Sequence, residues 1–263
     1  MAKMLIGGEL VDSVSGQTYE VRNPATGEVV DKVPKGTAKD VEQAIGVAES
    51  AFKEWSDVSP EDRGKMLLNA GELIKQKSNE IAQLLTQEQG KTFFEAGLEI
   101  HHLVHGLEFY AGLASKVRGA HVPLPQKGAY GMVIRQPIGV CGGIVPWNFP
   151  LTLMGTKLGP ALAAGNTIII KPATTTPLAT LLAIEQIQKA TYGEGKQQKT
   201  LPKGAVNVVT GPGGIVGEEL LKNPRVRRIA FTGSTEIGRH VMEVAGREIK
   251  RITLELGGSD PMI

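Results

Sequence analysis

The 263-residue chain has a formal net charge of +2, with 41% hydrophobic and 21% charged residues, ordinary values for a globular protein with a sizeable core. So small a charge excludes an electrostatic footprint for nucleic acid or an anionic membrane surface, and 5% aromatic residues exclude a stacking platform for single strands. A single cysteine excludes an internal disulfide and fits a reducing compartment.

The first residues, "MAKMLIGGELVD", reach a glycine turn and acids before a signal-peptide core could form. No apolar stretch is long enough to span a bilayer, so the expected location is cytoplasmic. Residues 4–33 read as short strands and turns, punctuated by Gly7-Gly8 and by Pro24-Ala25-Thr26-Gly27. From Thr37, an N-cap candidate, Val41, Ala44, Ile45, Ala48 and Phe52 recur with helical period. Pro60 and the acids beside it announce a second helix. Helix continues from Ser78 to Ala114, broken or capped near Gly90. At Gly119 the helical signal ends, and prolines and glycines up to about residue 139 suggest extended strands outside the main packing unit.

A strict rhythm begins at Val140. "IGVCGGIVPW", "NTIIIKPA", "AVNVVTGPG", "RRIAFTGS" and "RITLELGG" are short apolar runs separated by helical stretches at 151–164, 177–190, 213–222 and 235–247. Strands alternating with helices predict an α/β fold with a parallel, Rossmann-like sheet flanked by helices. Ligands of such sheets bind outside the carboxyl ends of the strands. The chemistry is therefore expected in "PWNFP", "KPATTTP", "TGPGG", "FTGST" and "ELGG", each of which alone could be only a turn.

In "FTGSTEIG", Gly233 allows close backbone approach, and Ser234 or Thr235 can cap a helix whose free N–H groups face an anion. The stretch "TGPGGIVG" offers a second glycine-rich start, but it is neither a dinucleotide G-x-G-x-x-G nor a Walker loop. Lys171 would place an ammonium at the ligand edge, or simply snorkel from a strand end. Asn148 is either a fixed amide donor of the kind an oxyanion hole needs or a plain helix cap. Glu255, an acid at the mouth of an apolar strand, can have a raised pKa and act as a general base, or it can bond the following glycine amides. Cys141 lies in the middle of a buried strand and is rejected as a nucleophile. His101 and His105 lie one helical turn apart without a third ligand nearby, so no metal site is expected.

Taken together, "NPATGE" (23–28), "PWNFP" (146–150), "GPALAAGNTIIIKPA" (159–173), "FTGSTEIG" (231–238) and "ELGG" (255–258) resemble the aldehyde dehydrogenase superfamily, in its order and across nearly the whole chain. The resemblance implies NAD(P)-dependent oxidation of an aldehyde to an acid by thiolate attack, hydride transfer and thioester hydrolysis. It implies a coenzyme-binding domain whose N-terminal part is 1–118 and whose Rossmann-like part is 140–263, with a strand arm for oligomerisation at 119–139. By position, Asn148 resembles the oxyanion-hole donor and Glu255 the base that activates the deacylating water. Lys171 resembles the lysine that contacts the adenosine ribose, and Ser234 the serine near the pyrophosphate, with Gly233 giving close approach. Ile144, Val145, Pro146 and Trp147 resemble the coenzyme-pocket wall, Gly213 and Gly217 the positions beside the adenine, and Gly257 is counted with the cofactor-binding positions.

Two departures from the family carry expectations. Thr174 stands where many members have a glutamate that accepts hydrogen bonds from the ribose 2′-OH, so NADP is expected to be tolerated or preferred over NAD. The family's nucleophilic cysteine follows "ELGG" and is not found here, so the chain is expected to be a truncated or split N-terminal half that binds coenzyme without turnover. The partners expected are an aldehyde in the complete enzyme and a second copy or the missing C-terminal half. The alternative of a different class is a stand-alone nucleotide-binding or regulatory module. An acylating dehydrogenase is a further variant, against which the retained Glu255 argues.

Overall fold

The computed structural model of the chain describes residues 1–259, so the last four positions of the expected 140–263 segment lie outside the described residues. Two hairpins come first, β1 (Met4–Ile6) with β2 (Glu9–Val11) and β3 (Thr18–Arg22) with β4 (Val29–Pro34). The helix α1 (Ala38–Ser56) starts on the expected Thr37, which forms a reciprocal capping box with Asp40. Next is α2 (Pro60–Gln76), with its proline in the first turn and Ser59 as cap. The long helical stretch is split as its glycine suggests. α3 (Ser78–Gln89) stops at Gly90, whose φ of 91° is left-handed, and α4 (Phe93–Ala114) restarts on a Thr92–Glu95 capping box.

The arm forms a two-stranded antiparallel hairpin, β5 (Ala120–Pro123) with β6 (Tyr130–Val133), exposed along nearly its whole length. The alternating part then runs β7 (Val140–Ile144), α5 (Pro150–Ala163), β8 (Thr167–Lys171) and α6 (Leu178–Gln188). A small hairpin follows, β9 (Thr191–Tyr192) with β10 (Lys199–Thr200), which no periodicity announced. It is held to α2 by Asn69 Oδ1, which accepts from the Thr191 N–H at 2.8 Å, and Trp55 packs edge-on against Tyr192. Then come β11 (Val206–Val208), a wide π-helical turn over Gly213–Gly217, α7 (Glu218–Lys222), β12 (Val226–Gly233), α8 (Thr235–Arg247) and β13 (Arg251–Leu256). The stretch expected as one helix over 213–222 is thus a π turn leading into a short α-helix.

The main sheet has the order β13-β12-β7-β8-β11-β1-β2, parallel from β13 to β11 and antiparallel at β1 and β2. The N-terminal hairpin therefore extends the same sheet that residues 140–256 build. Connections run outward from β7 to β8 and β11, then return to the other side of β7 through β12 and β13. The order reverses between β7 and β12, where adjacent connections leave on opposite faces and open a crevice.

Strand alternation feeds two cores. Ile168 and Ile170 face a core built with α2 to α6, whereas Ile169 joins Val140, Ile229 and Phe231 in a second core under α1 and α7. All three isoleucines are essentially inaccessible, which stabilises the strand by about 1.5–3 kcal/mol per side chain. Among the described residues, no helix is long and apolar enough to cross a membrane.

Candidate functional site

A crevice of about 1250 Å³ opens at the switch point. Ile144, the last residue of β7, and Val145, Pro146, Trp147 and Asn148 after it form one wall; Lys171 ends β8 and Thr174 follows it. Gly233 and Ser234 contribute from the end of β12, and Glu255 and Gly257 from the end of β13. Parallel pairing brings these strand ends together, with Ile144 opposite Lys171 and Phe231, and Thr232 opposite Glu255. Gly213 and Gly217 are not among the lining residues. They lie in the π turn, where a Cβ on Gly217 would come 4.0 Å from the Ile144 side chain and one on Gly213 would meet open space.

Among the described residues three helices, α5, α6 and α8, begin around the crevice, and their N-termini differ. The π turn before α7 starts at the same sheet edge but outside the crevice lining. Neither α5 nor α6 has a cap of its own. Glu99 of α4 supplies one to α5, its Oε1 accepting from Leu151 N–H at 2.8 Å and Thr152 N–H at 3.2 Å. Glu88 of α3 supplies the other, its two oxygens accepting from Leu178 N–H at 2.6 Å and Ala179 N–H at 2.9 Å. Burial pushes the Glu88 carboxyl up to about 8, against the pull of those two amides. Only α8 begins on a residue of the crevice itself, Ser234, whose Oγ accepts from Ile237 N–H at 3.3 Å. The turn before it is tight, since a Cβ on Gly233 would fall 2.5 Å from the Phe231 ring. Its remaining N–H groups and the positive end of the helix dipole are available to an anion.

Two buried ammonium groups face the same space. Lys171 is 5% exposed, donates to Pro172 O at 2.8 Å, and is pushed down to about 8 by burial. Lys157 of α5 was not singled out in the sequence. It is 6% exposed and donates to Leu153 O at 3.2 Å and to Thr232 Oγ1 at 2.6 Å. Burial lowers it to about 8, partly offset by the Glu255 carboxylate nearby. A readable signal existed. Lys157 shares the inward helical face with Met154, Leu158 and Leu162, where a cation is costly unless it has partners. Glu255 itself is exposed at the crevice rim rather than enclosed by apolar side chains, and faces water directly.

Asn148 is exposed to the crevice. Its Oδ1 accepts from its neighbour Phe149 N–H at 3.0 Å, and its Nδ2 has no partner among the described residues. Cys141 is buried in β7 and its thiol is pushed up to about 12 by burial, so it is inert as a nucleophile. The rings of His101 and His105 stack on α4, and among the described residues no group of three or more potential ligands is placed to hold a metal.

A switch-point crevice with one available helix N-terminus and two buried cations is the layout in which doubly wound α/β proteins receive anionic nucleotides. Residues 10–263 match the profile described as "Aldehyde dehydrogenase family", and the chain belongs to that family. It is 42% identical over 258 residues to glutarate-semialdehyde dehydrogenase of Pseudomonas putida, matching 98% of this chain and 52% of the relative. It is 41% identical over 259 residues to the succinate-semialdehyde dehydrogenase [NADP(+)] GabD of Escherichia coli, again 98% of this chain and 52% of the relative. The crystal structure of PnpE in complex with nicotinamide adenine dinucleotide superposes with a TM-score of 0.91 at 40% identity, covering 98% of this chain and 51% of that one. The chain spans about half the length of the relatives it matches.

Proposed function

We propose that this chain is the coenzyme-binding part of an NAD(P)-dependent aldehyde dehydrogenase, with semialdehydes, the substrates named for two of its relatives, as the first class to test. The observation that carries this reading is the switch-point crevice, in which α8 alone presents an N-terminus free of a bonded carboxylate. The site fits a dinucleotide: Ser234 and the α8 amides would hold the pyrophosphate, Gly233 lets it approach, and Lys171 and Thr174 would meet the adenosine ribose. Gly213 and Gly217 would sit beside the adenine, outside the main crevice. The coenzyme, when bound, supplies the two-electron acceptor for aldehyde oxidation.

The chain's own residues take three further roles. Asn148 Nδ2 is the donor for the oxyanion that forms on the substrate. Glu255, open to water at the rim, takes the proton from the water that hydrolyses the thioester. Lys157 keeps a positive charge beside that carboxylate. The nucleophile is not among these residues, because the sole cysteine is buried in the sheet. The exposed β5–β6 arm, with Tyr130 and Met132 each 77% exposed, pairs across subunits in this reading. Static light scattering that shows only monomers would overturn that part.

Coenzyme titration tests the central claim. Trp147 lines the crevice and the only other tryptophan, Trp55, is fully buried, so crevice binding should quench the exposed component of the fluorescence. Saturable quenching is expected from both coenzymes, with NADP+ at least as tight as NAD+, since the Thr174 hydroxyl does not repel a 2′-phosphate. No quenching by either would refute the site, and much tighter NAD+ would refute the role of Thr174.

A further inference from the structure

We infer that Lys91, together with Glu99, is a positioning element that fixes the amide of Asn148, an inference that rests on Asn148 being the oxyanion donor. Lys91 lies in the short link between α3 and α4, and its side chain is 8% exposed, while that of Glu99 is wholly buried. The two form an ion pair. The same ammonium donates to Asn148 O at 2.9 Å and lies 4.3 Å above the centre of the Phe149 ring. The same carboxylate accepts from the Leu151 and Thr152 amides.

One ion pair therefore grips the segment on both sides, at the carbonyl before Phe149 and at the amides after Pro150. The consequence reaches the Asn148 side chain. With its carbonyl held by Lys91 and Phe149 seated under the ammonium, the Phe149 N–H is turned to donate to Asn148 Oδ1. That bond uses the amide oxygen and leaves Nδ2 as the group presented to the crevice. A neutral side chain at position 91 would leave the carbonyl free and let Asn148 rotate.

The test uses amide exchange by NMR in the full chain. Lys91→Met is expected to speed exchange of the Phe149 N–H about tenfold, the scale of one lost hydrogen bond, and to broaden or shift the Asn148 side-chain NH2 signals. Lys91→Arg should restore both. Because Lys91→Met strands a buried carboxylate and can destabilise the fold, Lys91→Met/Glu99→Gln is measured beside it. In that pair the charges are gone and the Gln carbonyl still caps α5, so the melting temperature should recover while the Asn148 signals stay perturbed. Recovery of both together would reduce the pair to a purely structural role and overturn the inference, as would unaltered Phe149 exchange in Lys91→Met. Coenzyme titration of the same samples reports separately on the proposed function, since Lys171, Ser234 and Gly233 are untouched. Loss of coenzyme binding in the unsubstituted chain would fault that function and leave the exchange result standing.

Discussion

At the ligand edge of the sheet, α5 and α6 contrast with α8. The first two begin against buried carboxyl groups sent from α4 and α3, which consume the amides an anion would need. The third begins on a small hydroxyl residue at the crevice wall and keeps its positive end available. All three are ordinary strand-to-helix turns in sequence, yet the fold assigns two of them to architecture and one to ligand. Charge at a helix N-terminus is useful to a protein either as a fixed internal bond or as a vacant receptor, and one turn cannot serve both.

The contrast can be broken first at its architectural side. Glu99→Leu removes the α5 cap and strands the Lys91 ammonium in a nearly closed site, so urea unfolding should show a loss of about 3–5 kcal/mol. A loss below 1 kcal/mol would mean that the carboxylate is dispensable. Glu88 differs because no cation pairs with it among the described residues. Its folded carboxyl holds a proton up to about pH 8, whereas the ordinary value is 4.5. The folded state therefore binds more protons across that window. Its contribution is full below the ordinary value and is lost as pH rises through about 8. Glu88→Gln mimics the protonated form, so its advantage over the unsubstituted chain should grow from pH 5 to pH 8 by a few kcal/mol. Parallel melting curves of the two proteins across that range would reject the account.

How much of this was readable beforehand follows from the range of the interactions. The five parallel strands, their order in the chain and the α8 turn come from local pattern: β-branched runs, glycines and a Ser at a helix start. Asn148, Lys171, Ser234 and Glu255 were legible because each closes such a run. Lys91, Glu88 and Glu99 were not, because the turns they hold are 52 to 91 residues away, although Lys91 and Glu99 are only 8 apart, and nothing in an amphipathic helix marks one acid as a distant helix's cap. The placement of β1 and β2 in the same sheet is equally non-local. Lys157 lies between: a lysine on the inward face of α5 is a local anomaly, but its partner Thr232 is 75 residues away.

The ligand side of the contrast is sharpened by making α8 resemble its neighbours. Ser234→Asp retains a good N-cap, and its charge favours the helix dipole, so stability should hold or rise by about 0.3–1 kcal/mol. The same carboxylate would occupy the receptor and repel a pyrophosphate, so coenzyme affinity should fall about tenfold or more, ~1.4 kcal/mol. Stability and affinity thus move in opposite directions. A variant that bound coenzyme as before would show that the α8 N-terminus is not where the phosphates lie.

The smallest expected effect lies at the other end of α8. α3 leaves its last turn through Gly90, but α8 leaves through Ile249, whose φ of 51° is left-handed. The geometry is that of a Schellman exit, with Ile249 N–H donating to Gly246 O at 3.1 Å and Lys250 N–H to Ala245 O at 3.0 Å. A β-branched residue is strained in that conformation, and at 91% exposure Ile249 gains no burial in return. Ile249→Gly relieves the strain while increasing the freedom of the unfolded chain, so the net gain should be about 1 kcal/mol. Because the site lies outside the crevice lining, coenzyme affinity should not change. A loss of stability would mean that the exposed isoleucine is held by contacts with another copy of the chain. A dilution series of melting temperatures on the unsubstituted protein would then show concentration dependence, whereas strain alone predicts none.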